Sequence, residues 1–263
     1  MENSPFPPQD SVILGRLFAL AERLEGEIAK APLRVAKEDA GKSPFTCYAF
    51  QAAAQGFQLF RLYRLAIGAG FHTSADPILR ALVEVCIETA YVAAQTSRDK
   101  AAALALAQSQ IDQYRQLKNI DPLHQRLPTL LATAQTAVDR YGLKLTGDHW
   151  DPSSGSLADR ATKSGFGTLY QYAYRETSVV THGSALANSM YVLEGEIDVE
   201  RRLSETDMPV IAELWTACMG AHYCLVVIYE GVGIQHDDLD SIYTELTSIA
   251  DAVQQQAEAE RAS

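Results

Sequence analysis

The chain has few of the features from which an activity is usually read. Its four cysteines, Cys47, Cys86, Cys218 and Cys224, are widely separated within apolar segments and form no Cys-x-x-Cys pair. A zinc ribbon or thioredoxin-like motif is therefore not indicated, and each cysteine reads as a small buried hydrophobe in a reducing compartment. Glycine-rich phosphate loops, internal repeats and long alternating strand patterns are all missing, as is the nucleophile-elbow context of a Ser–His–Asp hydrolase. Positive charge is scarce. With a net charge of -11, the surface is poorly suited to coating nucleic acid, although a small local phosphate site remains open. No apolar run reaches the roughly 20 residues a bilayer requires. The nearest, Leu214–Tyr229, lies between Glu213 and Glu230 and contains His222; a buried central helix is expected there, with no membrane partner.

What is present is helical. The 47% hydrophobic and 21% charged contents are those of a globular chain. Ten prolines and sixteen glycines fall mainly between periodic segments. Asp10 or Ser11 caps a first helix expected to reach Ala31 and stop at Pro32, with Ile13, Leu14, Leu17, Leu20, Ala21 and Leu24 on one face. Ser43-Pro44 pairs an N-cap with a proline at the first helical position and opens a helix to Gly68 or Gly70. Asp76-Pro77 repeats the device for a helix to Ser97, and an alanine-rich helix follows over 99–119. Asp121-Pro122 starts a helix to Tyr141 in which Pro128 is expected to kink the axis. Residues 142–155 form the clearest loop, before helices near 156–164, 167–181 and 184–193. Gly195–Ser204 has room for a brief extended excursion. Asp207 and Pro209 open the apolar helix, and His236–Asp240 precedes a final amphipathic one. The expectation is an all-α fold: a single multi-helix bundle over residues 1–263, with about eight to ten helices. Residues 1–9 form a flexible N-terminus and 254–263 a charged tail. Met1–Gln9 lacks the basic and apolar regions of a signal peptide, which points to a cytoplasmic location.

Two polar stripes carry the candidate chemistry. In a helix, Arg175, Ser178 and His182 are spaced by three and four residues and share a face, with Gly183 ending the helix just beyond His182. The macrodipole favours a protonated histidine at that end. A guanidinium can hold a phosphate bidentately while an imidazole moves a proton, so this set suits phosphodiester chemistry; Ser178 would orient either group. The competing reading is a polar stripe that joins helices, with His182 capping its own. The second stripe is Arg80, Glu84 and Glu88 on an otherwise apolar helix. Arg80 before Glu84 is the weaker order for an intrahelical pair. Glu84 is therefore expected either to meet a cation on another helix, Arg175 or His182, or to be part of a solvated acidic edge. Metal signals are poor: Cys218 and His222 share a face without a second pair, and the acidic run His236–Asp240 reads as a helix cap. No cofactor or metal is expected. The basic groupings Lys30, Arg34, Lys37, Lys42 and Arg115, Lys118, Arg126 read as solvated faces.

The run Ile78-Leu79-Arg80-Ala81-Leu82-Val83-Glu84, followed by Thr89-Ala90-Tyr91, resembles a signature helix of an uncharacterised bacterial all-helical family, domain of unknown function 5677. The region from Trp150 through Leu157-Ala158 to Tyr174, Ser178 and His182-Gly183-Ser184 resembles its second signature, and the likeness spans residues 45–230. That family is similar to the HEPN superfamily, whose members are helical and often dimeric. Many are metal-independent ribonucleases with four to six residues between an arginine and a histidine, a spacing that Arg175 and His182, with six between them, satisfy. The resemblance implies an endoribonuclease in stress or phage defence, with Arg175 on the scissile phosphate, His182 as acid or base, Tyr174, Glu84 and Arg80 in support, RNA as partner and a homodimer as assembly. Glu176, where such nucleases commonly have a small polar residue, departs from that pattern. The alternative is a non-catalytic helical binding or assembly module that uses the same polar residues structurally.

Overall fold

A computed structural model describes residues 8–38, 43–141, 155–171, 192–193, 196–197 and 207–262. Among these the fold is an all-α bundle. In chain order the helices are α1 (Pro8–Lys37), α2 (Pro44–Gly68), α3 (His72–Ala93), α4 (Arg98–Ile120), α5 (Leu127–Tyr141), α6 (Leu157–Lys163), α7 (Gly167–Leu169), α8 (Asp207–Val232) and α9 (Asp237–Ala262). Between α7 and α8, strands β1 (Val192–Leu193) and β2 (Glu196–Ile197) pair antiparallel, Val192 opposite Ile197. Strand β2 falls in the stretch Gly195–Ser204 where a brief extended excursion is expected, whereas β1 takes the last two residues of the helix expected near 184–193.

The apolar helix α8 is the hub and packs against α1, α2, α3 and α9. By length and composition Val210–Val232 is apolar enough to cross a membrane, yet 61% of its most apolar window is buried inside the protein. Leu214, Ala217, Cys218, Ala221, Leu225, Ile228 and Tyr229 form its inward face. Burying each large aliphatic side chain stabilises the fold by about 1.5–3 kcal/mol. Helix α1 lays Leu17, Leu20, Leu24, Ile28, Ala31 and Val35 on the same core at three- and four-residue spacing.

That spacing explains the first departure from expectation: α1 does not stop at Pro32 but runs through it to Lys37. An interior proline costs about 3 kcal/mol. Here the apolar face continues past it, because Ala31 and Val35 are fully buried. Arg34 secures the last turn with its guanidinium over the Tyr229 ring, 5.7 Å from the centroid, and 3.8 Å from both Glu27 and Asp238. Helix α3 likewise begins at His72, a turn before Asp76-Pro77, so Pro77 sits inside it. Near the start of a helix a proline forgoes a single backbone bond. Pro128 is not a kink. Residues 121–126 form turns, Asp121 Oδ1 accepts from the Leu123 N–H at 3.1 Å, and α5 starts at Leu127 with Pro128 in its first turn, where a missing N–H is harmless.

Other boundaries match their chemistry. Ser43 caps α2, its Oγ accepting from the Thr46 N–H at 3.1 Å. Ser156 and Asp159 form a reciprocal capping box on α6. The tail from Gln254 to Ala262 is the last part of helix α9. Gly231 lies where α8 meets the Phe45 ring so closely that an added Cβ would collide with it.

Candidate functional site

Helices α2, α3, α6 and α8 converge on a buried polar cluster, and it begins with the α3 stripe. Residues four apart lie on one face, and burial varies along it: Arg80 is half-buried, Glu84 is exposed, and Glu88 retains 20% of its side-chain exposure. Glu88 accepts an ion-paired hydrogen bond from Arg160 of α6, Nη2 to Oε1 at 2.9 Å, with the Arg160 side chain 10% exposed. The cation that α3 meets here is Arg160, at Glu88; the partners expected for Glu84, Arg175 and His182, lie outside the described residues. Sequence reasoning passed over Arg160, whose signal was weak: a capped seven-residue helix with an arginine at its fourth position.

One residue beyond Glu88, Thr89 is fully buried and donates its hydroxyl proton to the Val85 carbonyl at 2.7 Å. The Tyr48 phenol from α2 and the Cys224 thiol from α8 lie beside it. Burial, reinforced by the negative charge of Glu88, pushes the Tyr48 phenol far above its ordinary value, so it remains a proton donor. Cys86 of α3 is buried close by, and the neighbouring Cys224 together with burial pushes its thiol up. The cluster can hold a charge pair and two thiols away from water.

The other titratable groups have structural partners. His222 is buried, with its ring Nε2 3.0 Å from the Leu239 carbonyl and its ring stacked on Tyr243 at 5.7 Å. Burial holds its pKa below the ordinary histidine value. Cys218, one turn away, is buried and its thiol is pushed up. Among the described residues no group of three or more His, Cys, Asp or Glu could hold a metal ion. Lys30 pairs with Glu27, Arg115 with Asp112 at 3.4 Å, and Lys118 lies over the Tyr114 ring. A cavity of about 530 Å3 opens between the α6–α7 turn, α8 and α9, with Phe166, Leu169, Trp215, Met219, Tyr223 and Val253 on its walls. Arg175, Ser178, His182 and Tyr174 lie outside the described residues, as do Lys42 and the loop residues 142–154.

Fold and cluster together define an all-α bundle with a largely buried ion pair between α3 and α6. The chain belongs to a family of unknown function, DUF5677, whose family model matches residues 47–198. This span takes in the α3 stripe, Arg160 and the Arg175–His182 segment. No curated protein and no solved structure matches the chain.

Proposed function

We propose that this protein is a HEPN-like, metal-independent endoribonuclease acting in stress or phage defence, with Arg175 binding the scissile phosphate and His182 as the acid–base. The observation that carries the reading is the spacing of Arg175 and His182, six residues between them, inside the region matched by the family model. The chemistry follows from the residue types. Arg175 offers two parallel N–H donors to the non-bridging phosphate oxygens, and His182 takes the proton of the 2′-hydroxyl or returns one to the leaving 5′-oxygen. Ser178 orients either group. A homodimer brings two such pairs together. The site is a local one, as the net charge of -11 requires.

The product ends provide the test. Purified protein in EDTA is incubated with an RNA oligonucleotide and with its 2′-O-methyl counterpart. Cleavage of the RNA alone, leaving 2′,3′-cyclic phosphate and 5′-hydroxyl ends, supports the reading. Cleavage of both substrates, or activity that needs added magnesium, rules it out.

The apolar cavity beside Trp215 favours a second reading, a non-catalytic helical binding module. Cavities of about 300–1,000 Å3 with mainly apolar walls are typical of small-molecule sites. RNA left intact under all conditions, together with saturable quenching of tryptophan fluorescence by an apolar probe such as anilinonaphthalene sulfonate, would favour it over the nuclease.

A further inference from the structure

We propose that the cavity beside Trp215 takes one unbranched alkyl chain, carried on a hydrogen-bond-donating head that bears no negative charge. This rests on the binding-module reading of the same cavity and names its ligand. The cavity is long and narrow. Two contacts set α8 and α9 antiparallel and in register: Trp215 Nε1 donates to the Leu246 carbonyl at 3.0 Å, and His222 Nε2 lies 3.0 Å from that of Leu239. The α8 wall runs from Ile211 to Tyr223, a length of roughly 18 Å at the helical rise per residue. A volume of about 530 Å3 spread over that length leaves a mean cross-section of roughly 30 Å2. A helix with its side chains is about 10–12 Å across and too wide to lie there, whereas one extended hydrocarbon chain is narrow enough.

The walls select carbon. None of the described lining residues carries a charge. Along α8 the Trp215 indole is engaged as above, and the Thr216 hydroxyl donates to the Ala212 carbonyl at 2.6 Å. A polar group carried in beside them would lose its water without gaining a partner. The head belongs at one end. By the register of the two helices, exposed Gln254 lies beyond Ile211. Its Nε2 donates to Glu258 Oε1 at 2.9 Å, which leaves the side-chain carbonyl oxygen free to accept from a hydroxyl. The Glu258 carboxylate beside it repels an anionic head.

The experiment uses the full chain carrying Trp150→Phe, which leaves Trp215 as the single tryptophan. Its fluorescence is titrated with n-alkanols from hexanol to dodecanol, and with the carboxylates of the same lengths at neutral pH. Calorimetry on the unaltered chain gives the same series without a substitution. Affinity should rise about fourfold with each methylene added and level off once the chain spans the cavity. Each carboxylate should bind about tenfold more weakly than its alkanol. Ala250→Phe, which fills the cavity from α9, should abolish the response without lowering the Tm. Affinity independent of chain length, carboxylates that bind as tightly as alkanols, or wild-type binding by Ala250→Phe would overturn the proposal. Binding of anilinonaphthalene sulfonate without binding of any alkanol would overturn it and leave the binding-module reading standing, whereas silence with every probe would end both. A dimer that Ala250→Phe dissociates, with no alkanol bound, would assign the cavity to a second copy of the chain instead.

Discussion

Replacing Arg160 with methionine removes one partner of the Glu88 pair while keeping most of the side-chain volume. Breaking a fully buried ion pair costs about 3–5 kcal/mol, because the remaining charge is left without compensation. Arg160 and Glu88 retain 10% and 20% of their side-chain exposure, so water still screens part of the Glu88 carboxylate. The expected loss is therefore smaller, about 2–3 kcal/mol. For a chain of this size it corresponds to a fall in Tm of very roughly 4–12 °C. The assay is urea unfolding followed by circular dichroism, with the change read from the midpoint at constant slope. The double variant Glu88→Met/Arg160→Met supplies the sharper comparison. With both charges gone no ion is left unpaired, so most of the lost stability should return. A single variant within about 0.5 kcal/mol of wild type would refute the reasoning, since that is the range of an inconsequential surface change. A double variant no more stable than the single would refute it as well.

Three further outcomes test other parts of the structure. Gly231→Ala should destabilise by about 1–3 kcal/mol, because its Cβ would enter the Phe45 ring; helix propensity alone gives the opposite sign, about 1 kcal/mol of stabilisation, so the direction of the urea midpoint shift decides between them. Ser156→Ala should cost about 1 kcal/mol by removing half of the α6 capping box, and thermal melts should show its effect shrinking in an Arg160→Met background if α6 matters chiefly by presenting Arg160. His222 is held neutral by burial, so the unfolded chain binds its proton more readily; its contribution is full above the unfolded value of about 6.5 and is lost as pH falls towards the lower folded value, with a slope of up to about 1.4 kcal/mol per pH unit. Urea midpoints between pH 5 and 8 should show this slope in wild type and a flatter one in His222→Gln.

The parts of the fold visible in the sequence were those governed by neighbours within one or two helical turns. Ser43-Pro44 specifies both a cap and an N1 residue, and α2 begins there. The prolines misled where local chemistry competed with packing. Pro32 reads as a stop, but Val35, fully buried one turn beyond the expected last residue Ala31, carries α1 through it. The α3 stripe was recognisable as a place where charge turns inward. Its partner was not, since Arg160 lies on another element and no periodicity links it to Glu88. Of the candidate site, Arg80 and Glu84 are on α3, at the half-buried and exposed positions of its stripe. Arg175, Ser178, His182 and Tyr174 lie outside the described residues.

The central functional claim is tested most directly by the rate of RNA cleavage in EDTA, compared between wild type, Arg175→Ala and His182→Ala at matched thermal stability. A positioned acid–base contributes about 100- to 10,000-fold, so His182→Ala should lose at least two orders of magnitude and Arg175→Ala a comparable factor, with circular dichroism melts unchanged. Wild type that leaves RNA intact, or variants that cut it at the wild-type rate, would contradict the account.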